Sequence, residues 1–461
     1  MATSRIVGVI DIGKSNAKFA VVDLESGSEL AVRKMPNRSL EDGPYLHYDI
    51  DAIWAFLLDA IALLNSQHKL DALSVTTHGA CAALVDAAGD LALPVLDYED
   101  KGPDELHAEY DVARPEFSET FSPRLPQGLN LGAQLFWQAR RFPDEFARAR
   151  WILPYPQYWG FRLSGVTASE ITSLGCHTDL WSIETGLYSS LVMRQGWIDR
   201  MPEVHQASSV LGPIRPELAE QLGLREDLPV LTGIHDSNAS LLPHLVGHAL
   251  PFSVVSTGTW VICATPGGDL ADLDPTRDCL ANIDAFGRPV PSARFMGGRE
   301  YEILTHGQAI APWGDAVLHC LEQPVMLLPS VQPGSGPFPN RISRWQPAVD
   351  GLDPQTRFAA ISFYLAMMTS ECLGMTGGEG DIIVEGPFAA NLLYLKMLSS
   401  ATGRPVLADA ASATGTSIGA ALLASRRPPH LATPLPVQVA PESAARMAKY
   451  AASWRQAVGR A

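Results

Sequence analysis

Residues 6–18 read Ile-Val-Gly-Val-Ile-Asp-Ile-Gly-Lys-Ser-Asn-Ala-Lys and decide the fold, because they fit two incompatible phosphate-binding patterns. Four of them satisfy the P-loop pattern G-x-x-x-x-G-K-S letter for letter: Gly8, Gly13, Lys14 and Ser15. A P-loop needs a flexible loop between its glycines and a helix after its serine. Residues 9–12 are instead mostly β-branched, and residues 19–22 are apolar like a second strand. We therefore predict a strand, a tight glycine turn and another strand.

The turn between these two predicted strands carries groups suited to a phosphorylated ligand. Asp11 ends the first strand, and Ser15, Asn16 and Lys18 surround the turn. A carboxylate in this position can hold a hydrated Mg²⁺, while turn N–H groups, a hydroxyl and an ammonium group meet phosphate oxygens. In this interpretation Lys18 matters more for phosphate than Lys14 does.

Length, charge and cysteine usage limit the classes of function. A chain of 461 residues is too long for one core, so at least two domains are expected. The formal charge of −16 disfavours nucleic acid or an anionic membrane as a partner. The six scattered cysteines form no C-x-x-C pair, and the sequence shows neither a signal peptide nor an apolar run of membrane-spanning length. These features predict buried thiols in a cytoplasmic protein.

The order of predicted elements is that of an α/β protein. An antiparallel start is predicted from three strands, at 5–12, 17–23 and 29–35. A helix capped by Asp49 or Asp51 follows, with apolar residues at helical spacing, and then a strand at 71–77. Two stretches rich in Gly, Pro and Asp are predicted to lack regular structure: 94–130 and 265–300.

A weak internal sequence repeat indicates two similar lobes. Residues 253–264, Ser-Val-Val-Ser-Thr-Gly-Thr-Trp-Val-Ile-Cys-Ala, again read as a strand, a glycine turn and a strand. Two copies of one phosphate turn suggest lobes that face each other across a cleft, which suits a ligand held between domains.

Polar clusters follow one another along the chain in a fixed order: Asp11 with 13–18, then 233–238, then 256–260, then 382–391 and 413–420. In this order, and together with residues 142–165 and 168–186, the chain resembles the FGGY carbohydrate kinases of the actin-like ATPase superfamily over nearly its whole length. The resemblance implies an α/β fold of two actin-like (ribonuclease H-like) lobes with a central cleft. Residues 1–246 would form the sugar-binding lobe and 247–461 the nucleotide-binding lobe, with the last helix, about 441–458, packing back on the first.

The resemblance also implies roles for single residues. Asp236 would be the catalytic base, and Asp11 would position Mg²⁺. The residues implied for ATP are Gly13, Ser15, Asn16, Lys18, Thr257, Gly258, Thr259, Gly386, Asn391 and Gly415. The residues implied for the sugar are His78, Gly79, His235 and Asp236. Two departures stand out, because Pro387 follows Gly386 where a second glycine is usual, and Lys14 stands where Thr or Ala is commoner.

Each of these residues also has a structural interpretation. Asp236 could be only the N-cap of the following helix, and His78 could be a turn histidine with satisfied hydrogen bonds. Lys18 could be a solvated charge, and Gly258 and Gly415 could be turn glycines.

The resemblance implies ATP-dependent phosphorylation of a ketose hydroxyl. Residues 235–236 and 256–260 are similar to the kinases of 6-deoxyketoses such as L-fuculose and L-rhamnulose, whereas His78-Gly79 is more similar to the xylulose kinases. The alternatives are a xylulose- or polyol-type kinase, a non-catalytic sugar or nucleotide sensor, and a slow ATPase. The expected partners are a small sugar and ATP, without nucleic acid or membrane, and with a homodimer left open.

Overall fold

The computed structural model describes residues 5–308, 314–348, 351–409, 415–425 and 435–459. These residues form two compact units. The first contains the described residues of 1–247, 281–289 and 414–431, and the second contains those of 248–280, 290–413 and 432–461.

The first unit holds most of the short strands. Its strands are β1 (Ile6–Ile12), β2 (Asn16–Asp23), β3 (Ser28–Pro36), β4 (Ser39–Leu40), β5 (His47–Tyr48), β6 (Ala72–Thr77), β7 (Ala82–Val85), β8 (Trp151–Pro154), β9 (Ser169–Glu170), β10 (Trp181–Ser182), β11 (Leu187–Tyr188), β12 (Val204–His205), β13 (Val210–Pro213), β14 (Pro229–Leu231) and β15 (Ile234–His235). Its helices are α1 (Ile50–His68), α2 (His107–Ala113), α3 (Phe117–Thr120), α4 (Leu131–Arg141), α5 (Pro143–Arg148), α6 (Tyr155–Ser164), α7 (Ile171–Leu174), α8 (Ser190–Arg194), α9 (Pro216–Leu222), α10 (Asp236–Gly247) and α15 (Gly415–Leu422).

The main sheet of the first unit has the order β13-β14-β6-β1-β2-β3, and β15 also pairs with β6. β1 lies antiparallel to β2 and parallel to β6, so the hairpin strands are on one side of it and the parallel strands on the other. Its apolar side chains, including Val7, Val9 and Ile10, are fully buried, as expected for a central strand covered on both faces.

The structure rejects the P-loop interpretation of residues 6–18. The chain after Ser15 continues as β2, whose Lys18 lies opposite Asp11 of β1. The strand, turn and strand predicted from the β-branched residues are therefore correct. The next predictions also hold, since Asp49 caps α1 through a hydrogen bond of 3.0 Å from the Ala52 N–H.

The second unit repeats this plan. Its strands are β16 (Ser253–Thr257), β17 (Val261–Ala264), β18 (Cys279–Ile283), β19 (Pro289–Phe295), β20 (Met326–Leu328), β21 (Arg344–Gln346), β22 (Ile382–Glu385) and β23 (Val406–Asp409). Its helices are α11 (Gly297–Thr305), α12 (Gly314–Glu322), α13 (Pro354–Met375), α14 (Leu392–Thr402) and α16 (Pro441–Gly459). The first residue of α12, Gly314, follows directly on residues 309–313, which the structure does not describe.

The second sheet has the order β18-β19-β17-β16-β22-β23. β16 lies antiparallel to β17 and parallel to β22, as β1 does to β2 and β6. The weak sequence repeat at 253–264 therefore corresponds to a structural repeat, and the predicted α/β class with two similar lobes is confirmed.

Three predictions about the organisation of the chain need correction. The last helix, α16, packs on α14, α12 and β20 of its own unit rather than on the first unit. Residues 265–300 supply β18 and β19 to the second sheet, and residues 94–130 include α2 and α3. The first unit ends near residue 247 in its main segment, but it also includes the helix α15 and residues 281–289. Residues 281–289 contain the end of β18 and the first residue of β19, although both strands pair in the second sheet.

Two helices, α1 and α13, are long and apolar enough to cross a bilayer by length and composition alone. α13 is mostly buried within its unit, whereas α1 buries one face, including Ile53, Leu57 and Ile61, in the core of the first unit. All six cysteines lie among the described residues, where each is buried and none forms a disulfide.

Candidate active site

The turn between β1 and β2 is braced by a side chain from outside the hairpin. The Gly13 N–H donates to the Asn16 carbonyl at 2.9 Å. Asn37 donates its backbone N–H to the Ser15 carbonyl and its side-chain amide to the Gly13 carbonyl, both at 2.9 Å. Beside this turn is a cavity of about 300 Å³ lined by Asp11, Gly13, Ser15, Asn16, Lys18 and Lys34. Five of the residues predicted to hold Mg²⁺ and phosphate are thus brought together.

Asp11 lies in a small charged network. Its Oδ2 is 3.1 Å from the Lys18 Nζ, which is also 3.2 Å from the Glu29 carboxylate. Ser417 of α15 donates its hydroxyl to the same Oδ2 at 3.3 Å. Burial raises the pKa of Asp11, Lys18 opposes this shift, and the negative charge of Asp236 adds to it. A cation beside Asp11 would relieve both unfavourable effects.

These residues fit a hydrated Mg²⁺ better than a dehydrated one. Among the described residues that line the cavity, Asp11 is the carboxylate, and the others offer hydroxyl, amide and ammonium groups. Mg²⁺ in proteins is commonly bound through one or two carboxylates and keeps several waters that substrate phosphates can replace.

Lys14 does not line this cavity, although it belongs to the same turn. Its Nζ lies 2.5 Å from both carboxylate oxygens of Asp97 and 3.1 Å from Glu99. The structure therefore separates the two lysines of the opening motif. Lys18 lies at the predicted phosphate site and Lys14 does not.

Asp236 is the first residue of α10, directly after β15. Its Oδ1 accepts hydrogen bonds from the Ser237 N–H at 2.6 Å and lies 3.1 Å from the His235 Nε2. Within the part of the chain that the structure describes, these contacts converge on Oδ1, so Oδ2 is available for a ligand. Burial raises the pKa of Asp236, while His78 opposes the shift, and about 32% of the side chain remains exposed. The contacts allow the cap and base interpretations to hold together.

His235 positions the Asp236 carboxylate. Burial lowers the pKa of His235 to about 4, so the imidazole is neutral near pH 7 and its Nε2–H can donate to Asp236. The His235 N–H donates to the Thr172 hydroxyl at 3.1 Å, and that hydroxyl donates to the buried Glu170 at 2.6 Å. Glu170 also caps α7 through the Thr172 and Ser173 N–H groups.

Gly79 is required by the position of His235. A Cβ at residue 79 would lie 2.8 Å from the His235 Nε2, closer than real Cβ contacts occur. Gly79 therefore serves the site by leaving room for the imidazole.

Gly79→Ala is expected to displace His235 and, through it, the Asp236 carboxylate. A small misplacement of a catalytic group can cost about a hundredfold, so we expect kcat to fall by about 10 to 100-fold. Steady-state kinetics and a thermal melt of the same preparation check this. Gly247→Ala, at a position of the same unit where an added Cβ meets no atom within 4 Å and φ is not positive, controls for glycine substitution in general. An unchanged kcat in Gly79→Ala would contradict the positioning role.

His78 has one nitrogen without a partner. Its Nδ1 is 2.9 Å from the Gly79 carbonyl, so Nδ1 carries the proton and Nε2 is an acceptor. Nε2 is buried and has no hydrogen-bond partner among the described residues, although only 6% of the residue is exposed. Burial lowers the pKa of His78, and Asp236, Lys14 and Asp97 are within electrostatic reach. A buried acceptor is therefore open to a hydroxyl donor, which favours the substrate-binding interpretation of His78 over that of a satisfied turn histidine.

In the second unit, Thr257 ends β16 and begins the predicted phosphate turn. The Thr257 hydroxyl donates to the Glu385 carbonyl at 2.5 Å and accepts the Phe388 N–H at 3.0 Å. It thus ties β16 to the loop after β22. Gly258 and Thr259 are exposed and line a cavity. The Thr257 hydroxyl is thus engaged within its own unit, and the predicted phosphate contacts of Thr257, Gly258 and Thr259 stay predictions.

That cavity has a volume of about 900 Å³ and lies wholly within the second unit. Tyr301 makes edge contacts with Phe358 and Phe388, at centroid distances of 6.3 and 5.8 Å, and all three line the cavity. Lys396 adds a positive charge to the lining, to which Arg299 also contributes as a pair with Glu302 at 2.8 Å. An aromatic wall beside cationic groups suits a planar base carrying phosphates.

The loop from Gly386 to Asn391 forms another side of the cavity. Gly386 has a φ of +76°, and a Cβ there would lie 2.1 Å from the Thr257 carbonyl oxygen, so the loop requires glycine. Pro387 begins a 3₁₀ turn, Pro387–Ala390, where the missing N–H has no helical partner to lose. The Asn391 side chain caps α14 and donates to the Ser362 hydroxyl, so both ends of its amide are used structurally.

Gly415 belongs to the first unit, whereas Gly386 and Asn391 belong to the second. It begins α15, which packs on α10 and β1 of the first unit. The Ser240 and Thr416 hydroxyls are 2.7 Å apart, and the Ser74 hydroxyl donates to the Ala420 carbonyl at 2.7 Å. The predicted contact of Gly415 with ATP stays a prediction. The described part of its segment supports Asp11 through Ser417.

Five residues of the site were not predicted from the sequence: Glu29, Lys34, Asp97, Thr172 and Ser417. Ser417 lies in the Gly-Thr-Ser-Ile-Gly stretch that was singled out, so its hydroxyl was a visible candidate. Glu29 and Lys34 lie on β3, which was predicted as a strand. Asp97 follows an apolar run in a segment predicted to lack regular structure, and no local pattern marks it.

Each of the two units matches the profile of a known protein family. A profile described as the FGGY family of carbohydrate kinases, N-terminal domain, matches residues 6–243. A second, described as carbohydrate kinase FGGY, C-terminal domain, matches residues 249–433.

Among curated proteins, the chain is similar to L-fuculokinase from Salmonella typhi, at 27% identity over 282 residues. That match covers 58% of this chain and 57% of the relative. Rhamnulokinase from Oceanobacillus iheyensis is 25% identical over 54% of each chain. The chain thus aligns with little more than half the length of these relatives.

Among solved structures, a carbohydrate kinase from Novosphingobium aromaticivorans is 35% identical, covers 100% of both chains and has a TM-score of 0.91. A xylulose kinase from Lactobacillus acidophilus is 15% identical, covers 99% of this chain and 98% of the other, and has a TM-score of 0.78. The second likeness supports the fold alone.

Proposed function

Because the chain belongs to the FGGY family of carbohydrate kinases, we propose that it catalyses ATP-dependent phosphorylation of a sugar hydroxyl, with Asp236 as the base. The observation that carries this proposal is the pairing of two carboxylates in one unit. Asp11 lies at the cavity beside the glycine turn, and Asp236 lies within its electrostatic reach with one oxygen open to a ligand. A sensor that only binds sugar or nucleotide has no need of such a base.

The residues of the first unit would position the acceptor and remove its proton. The His235 Nε2–H holds Oδ1 of Asp236, so that Oδ2 can accept the proton of the attacking hydroxyl. Burial raises the pKa of this carboxyl, which strengthens its ionised form as a proton acceptor. His78 Nε2 would accept a hydrogen bond from a neighbouring hydroxyl of the sugar.

The phosphoryl group would be stabilised by positive charge and by the turn N–H groups. Lys18 and Lys34 line the same cavity as Asp11, and the turn residues Ser15 and Asn16 are exposed there. Bound Mg²⁺ would be held near Asp11 and would neutralise charge on the phosphates. In the second unit, Gly258, Thr259 and the aromatic wall would hold the nucleotide.

The acceptor that we propose is a 6-deoxyketose. Two relatives bear the names L-fuculokinase and rhamnulokinase. Residues 235–236 also resemble the kinases of 6-deoxyketoses. Another relative is named as a probable L-xylulose kinase, at 24% identity, so a ketopentose is the second candidate. We also propose that the reaction takes place in the cytoplasm, where ATP is present.

L-Fuculose or L-rhamnulose is expected to give a higher kcat/KM than D-xylulose or glycerol. One methyl group in an apolar pocket is worth about 10 to 200-fold in discrimination, and we expect a difference of that order. ADP formation with each of the four acceptors measures it. If xylulose or glycerol ranks first, the kinase assignment stands and the deoxyketose assignment falls. If ADP forms at the same rate with and without every acceptor, the protein is a slow ATPase.

A further inference from the structure

Lys14 is held by a carboxylate from a distant part of the chain. Asp97 is fully buried, and each of its two carboxylate oxygens accepts a hydrogen bond from the Lys14 Nζ at 2.5 Å. It also accepts hydrogen bonds from the Ser39 and Tyr48 hydroxyls and from the Glu99 N–H. Burial alone would raise the pKa of Asp97, but these hydrogen bonds outweigh it and hold the pKa below its usual value. Asp97 is therefore a saturated anion that fixes the lysine in place.

Lys14 shares its aromatic surroundings with His78. The Lys14 Nζ is 5.4 Å from the Tyr48 ring centre and 5.0 Å from that of Tyr98. The His78 ring lies 5.2 Å from Tyr48 and 5.5 Å from Tyr98. The two rings thus connect the ammonium group to the imidazole with the open Nε2. We call these five residues the Lys14 cluster: Lys14, Tyr48, His78, Asp97 and Tyr98.

The Lys14 cluster borders the proposed base. His78 is within electrostatic reach of Asp236 as well as of Lys14 and Asp97. The Asp236 charge also acts on Tyr98. The Lys14 side chain is 25% exposed, and its ammonium group has three donors, two of which face Asp97. The third faces Glu99 at 3.1 Å, and because the Glu99 side chain is 55% exposed, a sugar oxygen can replace this contact.

We propose that Lys14 is a specificity-determining residue for the acceptor, donating a hydrogen bond to a hydroxyl or carbonyl oxygen of the sugar while His78 Nε2 accepts one from a hydroxyl. This inference rests on the proposed kinase function and deepens it. The letter pattern of the opening motif would place Lys14 on the phosphates. The contacts with Asp97 and the two tyrosines place it on the acceptor side instead.

The charge around Lys14 selects a neutral acceptor. The single positive charge of Lys14 is paired with two carboxylates, Asp97 and Glu99. A third carboxylate, Asp236, is within electrostatic reach of His78 in the same cluster. A sugar acid such as gluconate would bring a further negative charge next to these groups, at a Coulomb cost that its uncharged counterpart avoids. Polyhydroxylated neutral sugars offer the donor and acceptor atoms that Lys14 and His78 need.

The test is a pair of variants measured against sugar and ATP separately. Lys14→Met is expected to raise the KM for the best neutral ketose of the four-acceptor panel at least about tenfold, with the KM for ATP changed less than twofold. Because this change leaves Asp97 buried without its counter-ion, Lys14→Met/Asp97→Asn restores neutrality and should show the same loss of sugar affinity. Lys101→Met, an exposed lysine of the same unit, is the matched control. Thermal shift with sugar alone provides a readout that does not depend on turnover.

Each outcome decides between the assignments. If both variants keep the parent's sugar KM, or if they raise the KM for ATP instead, Lys14 is not an acceptor residue. Faster turnover of gluconate than of any neutral ketose would overturn the selection of a neutral sugar. If the parent protein forms no ADP with any acceptor, the proposed function fails. Sugar-induced stabilisation that is lost in the variants would then still support the contact.

Discussion

Asp236→Asn is expected to lower kcat at least about a hundredfold while leaving the affinity for the sugar within a few-fold of the parent. Asparagine keeps the shape of the side chain, and its oxygen can still accept the Ser237 N–H that Asp236 accepts at 2.6 Å. The start of α10 is therefore preserved and only the base is removed. Steady-state kinetics for turnover and sugar-induced thermal shift for binding separate the two effects.

Two controls sharpen this prediction. Asp49→Asn changes another carboxylate at a helix N-terminus of the same unit, the cap of α1, and should leave kcat unchanged. The parent should lose activity as the pH falls through the raised pKa of Asp236, because the base must be ionised, and the groups facing it are His78, His235 and Asp11. The residual activity of the variant should lack this acid limb. Turnover of Asp236→Asn within a few-fold of the parent would show that another group removes the proton.

Lys18→Ala is expected to lower kcat by about 10² to 10³-fold, the range found when a donor that stabilises transition-state charge is removed. Lys18 lines the cavity beside the glycine turn and is paired with Asp11 and Glu29. Its loss removes positive charge from the proposed phosphoryl site and leaves two carboxylates close together. Kinetics with ATP and sugar varied separately would show the effect in kcat.

The loss of the Lys18 ion pairs could itself destabilise the hairpin, so a second variant is needed. Lys18→Met/Glu29→Gln removes one charge of each sign and should recover stability without recovering kcat. Lys14→Ala serves as the comparison from the same turn, and its effect should fall on the KM for sugar. A near-normal kcat in Lys18→Ala, together with a collapse of ATP use in Lys14→Ala, would reverse the assignment of the two lysines.

The opening hairpin was predictable because its information is local. β-Branched residues on both sides of Gly13 favour strands, and Asp11 and Lys18 then lie opposite each other by the register of a short turn. The position of Asp236 at the junction of β15 and α10 follows from the same kind of local signal. The repeat at 253–264 gave the second sheet its central hairpin.

The remaining features depend on contacts between distant residues. The partner of Lys14 is 83 residues away along the chain, in a segment without a regular pattern, so neither the pair nor its distance from the phosphates could be inferred. The Thr257 hydroxyl donates a hydrogen bond to the Glu385 carbonyl, 128 residues later in the chain. The helix α15 belongs to the first unit although it follows most of the second unit in the sequence. β18 and β19 were missed because their glycine- and proline-rich surroundings resemble loops, although their side chains are largely buried.

The central claim is that this protein transfers a phosphoryl group from ATP to a neutral sugar. Its most direct test is ³¹P NMR of a reaction containing the parent protein, ATP, Mg²⁺ and L-fuculose or L-rhamnulose, run beside Asp236→Asn. We expect a sugar phosphate ester that appears together with ADP in equal amounts, and little of either with the variant. Inorganic phosphate as the product, or equal yields of ester from both proteins, would contradict it.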